Sequence, residues 1–485
     1  MDTEMTQPSV LTRADRARPA RPGLVLAACC LSQLVVVLDG SIMNVALPAV
    51  QHDLSFDQNS LQWVLNAFMI PFAGLLLLAG RMADLFGRRR LFLTGIALFT
   101  VASLLGGLAV NSGWLIAARA VQGVGAAIIA PATLSVLSTA FVEPKERAKA
   151  FGLWGAAAGS GGAIGVLAGG VIVEWLSWRW VLLVNIPLGA VLMFMVASAV
   201  TESRDPDARR RLDVAGALSV TLGLAVLVYG IAEGERYGWG APRIVTALSA
   251  GVALLVFFLV DQAKLAKQPI MPLSIFRSRS VSVANAVAFV AGAAMLSTFY
   301  FMTLQLQIVL GYSALHTGVA YLPVSLATFV GAGACSAVVA KTGPRPVLLV
   351  GLALATAGLL WLSQADETAT FAADLLGPTV VFGIGLGLLI TGTANAATAD
   401  VPESQQGLAS GLLNTNQTLG SAVGLAILVA VANSHTAGAM KSVNPANAMA
   451  RAHALSSGYQ LAFLVTAGVL AASMLMALAA PKARR

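Results

Sequence analysis

The sequence predicts an all-α polytopic membrane protein that crosses the bilayer fourteen times, and three observations predict it. Hydrophobic residues make up 57% of the 485 and charged residues 11%, against about 25% charged in an ordinary soluble chain. The apolar residues gather in stretches of bilayer length parted by short polar ones, and mean hydropathy is +0.80. The 30 Lys and Arg side chains are sorted by side: alternate segments on the side of the N terminus hold 24, the opposite ones hold 5, and Arg119 lies inside a span. Because short cytoplasmic loops carry the excess of Lys and Arg, that split predicts a multi-pass protein of the cell membrane with both termini cytoplasmic.

At ~20 apolar residues per crossing, the spans are 23–50, 60–80, 91–110, 114–140, 150–175, 180–201, 212–232, 244–261, 281–309, 317–340, 347–363, 374–398, 408–434 and 458–480. The basic tail 1–22, with Arg13, Arg16, Arg18 and Arg21, precedes an apolar run about twice as long as the roughly 7–15 residues of a cleavable signal. The first span is therefore expected to stay. Net charge is +8, but the basic residues sit between spans instead of on a soluble face with base-contacting groups, so nucleic acid is not an expected partner. Cys29, Cys30 and Cys335 fall inside apolar runs without ligand spacing and read as packing residues, and no metal or cofactor is expected.

The chain repeats itself. Gly87 and Gly95 match Gly343 and Gly351 in spacing, and Gly152 to Gly165 matches Gly411 to Gly424, with Gly161 over Gly420. This predicts two six-span halves, 23–201 and 281–480, joined by a linker 202–280 that carries two extra helices, and ending in a short tail, 481–485.

Within the first span stands one acid, Asp39. An isolated charge at the bilayer centre costs at least ~3 kcal/mol, so such an acid by default faces a protein-lined cavity and has a function. The alternative is a hydrated position near the outer interface, roughly 13 Å of helix before Pro48. Arg119 in the fourth span either reaches inward or snorkels to that interface. The second loop, Gly80-Arg-Met-Ala-Asp84-Leu-Phe-Gly87-Arg88-Arg-Arg, has glycines for a tight turn and an acid suited to a helix N terminus. The fifth span holds Gly155, Gly159, Gly161, Gly162, Gly165, Gly169 and Gly170, which permit close backbone approach. Ser177-Trp-Arg-Trp180 and Asn185-Ile-Pro187 read as interface anchors and a helix start.

These stretches, Leu38-Asp-Gly-Ser-Ile-Met-Asn-Val-Ala-Leu-Pro48, the Gly80 loop, Arg119-Ala-Val-Gln-Gly-Val-Gly125 and Trp178-Arg-Trp-Val-Leu-Leu-Val-Asn-Ile-Pro187, resemble the motifs of the fourteen-span drug/proton antiporters of the major facilitator superfamily. Leu306-Gln-Ile-Val-Leu-Gly-Tyr-Ser313 and Gly407-Leu-Ala-Ser-Gly411 extend the resemblance over nearly the whole chain. It implies the major facilitator fold and proton-driven export of lipophilic drugs or an antibiotic by alternating access. It also implies that Asp84 helps lock the cytoplasmic gate, that Arg119 assists proton transfer, and that the glycine-rich fifth span is the antiporter signature. Where the family usually has proline after Gly165, this chain has Val166.

Energy is expected from a gradient: no Gly-x-x-x-x-Gly-Lys-Ser/Thr loop occurs, and no ATPase subunit is required by this reading. Neither a His-Glu-x-x-His motif nor a clustered catalytic set occurs, so an enzyme is not expected, and His52, His316, His435 and His453 read as solvated. A site between the halves near the midplane would draw on Asn44, Trp63, Asn66, Gln122, Tyr300, Gln305, Gln307, Asn414 and Gln417, each of which equally suits a structural bond between helices. The C-terminal spans hold no acid except Asp374 at the start of one, which favours a neutral or weakly charged lipophile as cargo, with protons and membrane lipids as the other partners. Uptake of a small metabolite by proton symport is the second reading; the glycines of the fifth span favour export. If Asp39 is the proton site, its approach to and separation from Arg119 would release and bind the proton, because a guanidinium favours the carboxylate and a dry surrounding the neutral acid.

Overall fold

The computed structural model describes residues 21–141, 143–203, 212–399, 401–441 and 447–478. The N-terminal tail up to residue 20 and the C-terminal one lie outside them. The described residues form sixteen α-helices and no strand. The first seven are α1 (Pro22–Asp53), α2 (Trp63–Phe86), α3 (Arg88–Gly107), α4 (Ser112–Ala140), α5 (Pro144–Trp175), α6 (Arg179–Leu183) and α7 (Asn185–Ala199). A hairpin of α8 (Val214–Tyr237) and α9 (Pro242–Val260) follows. The rest are α10 (Arg279–Leu304), α11 (Ala314–Ala320), α12 (Leu322–Thr342), α13 (Pro344–Leu362), α14 (Leu376–Ala399), α15 (Glu403–Met440) and α16 (Ala448–Leu478). Counting α6 with α7 and α11 with α12 as single crossings, 14 stretches are long and apolar enough to span a membrane.

Local chemistry sets the boundaries. Asn111 caps α4 by accepting from Trp114 N at 2.8 Å, and Asp213 caps α8 by accepting from Gly216 N at 2.8 Å. Proline in the first turn opens α1, α5, α9 and α13. Gly87 and Gly343, at φ +107° and +77°, end α2 and α12 in a region that favours glycine. They are the two glycines matched in the repeat and make the same turn in each half. Gly161 on α5 and Gly420 on α15, also matched, serve alike: a Cβ at Gly161 would meet the Leu34 carbonyl of α1 at 3.1 Å, and one at Gly420 would strike the Phe289 carbonyl of α10.

The helices outrun the apolar spans. α15 runs over 38 residues against the 408–434 expected from hydropathy, and α16 begins ten residues before 458. Hydropathy marks where lipid begins, whereas the backbone stays helical until a cap or turn residue ends it. The expected single spans 180–201 and 317–340 are each interrupted, at Val184 and Tyr321, a few residues ahead of Pro187 and Pro323.

In the N-terminal group α1 packs on α5 and α4, α2 on α4, and α3 on α4 and α7; in the C-terminal group α10 packs on α15 and α14, and α13 on α14 and α16. The groups meet through α2 against α15 and α5 against α11 and α12. The α8–α9 hairpin lies on the α2–α15 seam, with α8 touching both. Gly74 on α2 makes room for Thr221 on α8, whose side chain a Cβ would strike.

Candidate functional site

Five helices of the N-terminal group converge on Asp39. Its side chain is 0% exposed, so the hydrated alternative does not hold. Arg119 on α4 is also fully buried and does not snorkel; its Nη1 donates to Asp39 Oδ2 at 2.5 Å and its Nε to the Val64 carbonyl of α2 at 3.1 Å. Its guanidinium carbon lies 4.5 Å from the centre of the Phe68 ring, a desolvated cation–π contact. Gln122, one turn on, donates from Nε2 to Asp39 Oδ1 at 2.7 Å and to Ser103 Oγ at 2.8 Å, and its Oε1 accepts from Arg119 Nη1 at 2.7 Å. Asn185, at the first turn of α7, donates from Nδ2 to Asp39 Oδ1 at 2.9 Å.

The result is a dry ion pair with three donors on one carboxylate. Such a pair is strongly destabilised if one charge is lost without rearrangement, by about 3–5 kcal/mol when a partner is removed. Loss of the charge on Asp39 would therefore act on α1, α4 and α7 together, since its carboxylate joins all three. The chain folds this way because small residues let the helices close: a Cβ at Gly165 would sit 2.7 Å from Ser41 Cβ and 3.0 Å from the Leu38 carbonyl, and one at Gly169 would sit 3.2 Å from Ile42 Cα.

The other sequence candidates are dispersed. Gln122, a cargo candidate by sequence, is fully buried with its amide engaged by the ion pair, so no face is left for cargo. Gln305 is buried and donates to the Asp366 carbonyl and Ser456 Oγ, tying the turn between α13 and α14 to α16. Gln307 donates to the Val45 carbonyl across the two groups. Trp63 packs with Ile70 and Val220 under the hairpin. Asn44, Asn66 and Tyr300 are buried with Asn44 Oδ1, Asn66 Oδ1 and Tyr300 Oη unpartnered, while Asn414 is exposed and Gln417 half-buried.

In the fifth span the glycines have separate partners. Gly159 faces the Phe329 ring of α12, a Cβ at Gly170 would lie 2.8 Å from the Ala314 carbonyl of α11, and Gly155 faces open space. Val166, in the position of the family proline, is buried, and its carbonyl lies 2.6 Å from where a Cβ on Gly318 would sit. α5 runs unbroken through it.

At the opposite end of α2, Gly80 lies beside Pro131, with 3.4 Å to a would-be Cβ. The Asp84 side chain lies outside what is described. Among the described residues, Glu202, which follows α7, meets the first turn of α3: its carboxylate accepts from Arg89 N and Arg90 N at 3.2 Å each, and Arg88 N donates to the Ser203 carbonyl at 3.1 Å. Sequence reading missed Glu202 and Asn185 as site residues; only the place of Asn185 before a proline-containing helix start signalled anything. Asp366, outside the spans, has its carboxyl held below the usual carboxylate range by hydrogen bonds from the Thr368 hydroxyl and N–H. Among the described residues no His, Cys, Asp and Glu cluster suits a metal.

The family model of the Major Facilitator Superfamily matches residues 29–425. The cephamycin export protein CmcT of Amycolatopsis lactamdurans is 41% identical over 428 residues, covering 88% of each chain. The puromycin resistance protein pur8 of Streptomyces alboniger is 39% identical over 93% of this chain and 90% of its own. The nucleoside transporter NupG shares the fold, with a TM-score of 0.65 at 12% identity over 94% of this chain and 99% of its own. With these matches running through all the helices that build the Asp39 site, the chain belongs to the Major Facilitator Superfamily and is a membrane transporter, not an enzyme.

Proposed function

We propose that the protein is a drug/proton antiporter that exports lipophilic drugs or an antibiotic by alternating access of its two six-helix halves, 23–201 and 281–480. The observation that carries this is the Asp39–Arg119 ion pair, buried on both partners. A carboxylate so enclosed is costly unless its charge is used, and intramembrane acids mark proton relays. Protonation of Asp39 cancels its attraction for Arg119 and loosens α4 from α1; loss of the proton restores the pair. The named cargoes of relatives, cephamycin and puromycin, support an antibiotic or a similar lipophile. Asn44, Asn66, Tyr300, Asn414 and Gln417 are the cargo-binding candidates, and Asp84 with the Gly80–Arg88 loop is the gate.

The charge split of 24 to 5 supports cytoplasmic termini, which makes the 54–62 side the outer one. On that side the groups are tied by Gln307 to Val45 and by Asn433 to Asn59, and Gly170 packs on Ala314. Towards the cytoplasm Gly152 and Gly155 on α5, and Gly333 on α12, have nothing within 4 Å of a would-be Cβ. An inward-open arrangement fits both.

The test is drug-induced proton release from purified, reconstituted protein, with Asp39→Asn beside the parent. The variant is expected to fold and bind drug but to release no proton. Equal release from both removes Asp39 from the mechanism.

A further inference from the structure

A proton on Asp39 poses a hydrogen-bonding problem that the dry site must solve. The carboxylate only accepts, whereas the acid must also donate, and a buried donor without an acceptor is costly. The acceptors around Asp39 are mostly occupied. Gln122 Oε1 already receives Arg119 Nη1, the Val64 carbonyl receives Arg119 Nε, and Ser103 Oγ receives both Gln122 Nε2 and, at 3.3 Å, Asn185 Nδ2. Asn185 Oδ1 is buried with no partner, on the amide whose other end already touches Asp39.

We propose that Asn185 is a positioning residue that serves both protonation states of Asp39: as drawn, its Nδ2 donates to the carboxylate, and turned half a revolution about its terminal bond its Oδ1 accepts the O–H of the carboxylic acid. This rests on the reading of Asp39 as the proton site. The turn exchanges two atoms of nearly equal position, so it needs no backbone movement and no water. Ser103 accommodates it, because its hydroxyl, which now donates to the Phe99 carbonyl at 2.8 Å, can swing to donate to the turned Oδ1. One amide atom is unpaired in either state, so neither protonation state is locked in by the amide.

Among the described residues Arg119 is the one charged group in contact with Asp39. α2 offers it a carbonyl and the Phe68 ring, α3 Ser103, α5 its glycines and α7 Asn185; α6 brings Arg179, which is paired with Asp53. Of the facing C-terminal helices, α10 carries Arg279 at its start and the buried Tyr300, packed on Phe301, and α11 carries His316, hydrogen-bonded to Ser313.

The experiment is an infrared difference spectrum of the purified full-length protein between alkaline and acidic pH. Asp39→Asn identifies the carbonyl band of the Asp39 acid by its loss. In Asn185→Leu, which can neither donate nor accept, that band is expected to shift to higher frequency, and the midpoint of its pH titration to move. Asn185→Ser, whose hydroxyl does both, is expected to hold band and midpoint near the parent's. Asn185→Ala serves the same purpose where leucine prevents folding. A band and midpoint unchanged in the Leu and Ala variants overturn the assignment of Asn185 while leaving Asp39 as proton site. A parent spectrum with no band lost in Asp39→Asn overturns both readings.

Discussion

Gln307, in the turn that prolongs α10, donates its Nε2 to the Val45 carbonyl of α1 at 2.9 Å and so joins the C-terminal group of helices to the N-terminal one, two turns from Asp39 along α1. A single buried hydrogen bond contributes about 0.5–1.5 kcal/mol net. Gln307→Leu is therefore expected to raise the share of molecules open on that side by roughly two- to tenfold. Spin labels at Ser55 and Ser434, with the distance distribution measured by electron resonance, report it. An unchanged distribution would mean that the bond forms without holding the closure.

Two glycines of α5 should respond oppositely to the same change. Gly165→Ala drives a methyl to 2.7 Å from Ser41 Cβ and against the Leu38 carbonyl, so it must push α1 and the adjoining Asp39 aside. Overpacking of this kind costs about 1–3 kcal/mol, and a lower melting temperature with impaired drug-induced proton release is expected. Gly155→Ala meets nothing within 4 Å and gains helix propensity, so its melting temperature should stay level or rise. Matching losses in the two variants would contradict the close approach of α5 to α1.

Glu202 holds the first turn of α3 from 112 positions further along the chain. A carboxylate at a helix N terminus contributes about 0.3–1 kcal/mol. Glu202→Gln is expected to lose much of that, and Glu202→Ala the hydrogen bonds too, giving faster amide exchange at Arg89 and Arg90 in the order Ala, Gln, parent. Equal exchange in all three would leave Glu202 an onlooker.

Asp366 gives a pH dependence. Its folded value is lowered below 3.8, chiefly by the Thr368 hydroxyl and then by the Thr368 N–H. A depressed carboxyl stabilises the fold above its unfolded value, and the contribution is lost as pH falls through the folded one. The Thr368 amide, which donates to Asp366, should thus keep its protection down to the ordinary carboxylate range and lose it below. In Asp366→Asn that acid-induced loss should vanish; its persistence would point to another group.

What could be read in the sequence was whatever depends on neighbours in the chain. The fourteen crossings follow from hydropathy, and Asp39 and Arg119 stand out as lone charges within apolar runs. Asn185 and Glu202 do not, because their partners lie 146 and 112 positions away, and Ser103, bonded to Gln122 in the next helix, looks like any packing hydroxyl. Gln305 and Gln307 look alike in the sequence, two residues apart in one apolar run. Two positions apart on a helix they point to opposite sides, one to the α13–α14 turn and the other across to α1. A glutamine in a span, such as Gln122, must find a partner, and cargo and a structural bond fit its sequence equally; its partners are Asp39, Arg119 and Ser103.

The α8–α9 hairpin gives the molecule two unlike flanks. The seam between α2 and α15 is roofed by α8, with Thr221 seated at Gly74, and Leu77 of α2 lies against Gly411 of α15. The seam between α5 and α12 has no such roof among the described helices, and beyond the Gly159–Phe329 contact Gly155 and Gly152 have nothing within 4 Å of a would-be Cβ. On the proposed export reading, one flank is shuttered to a lipophile arriving sideways and the other is not, so the direction from which it comes would matter as much as its shape.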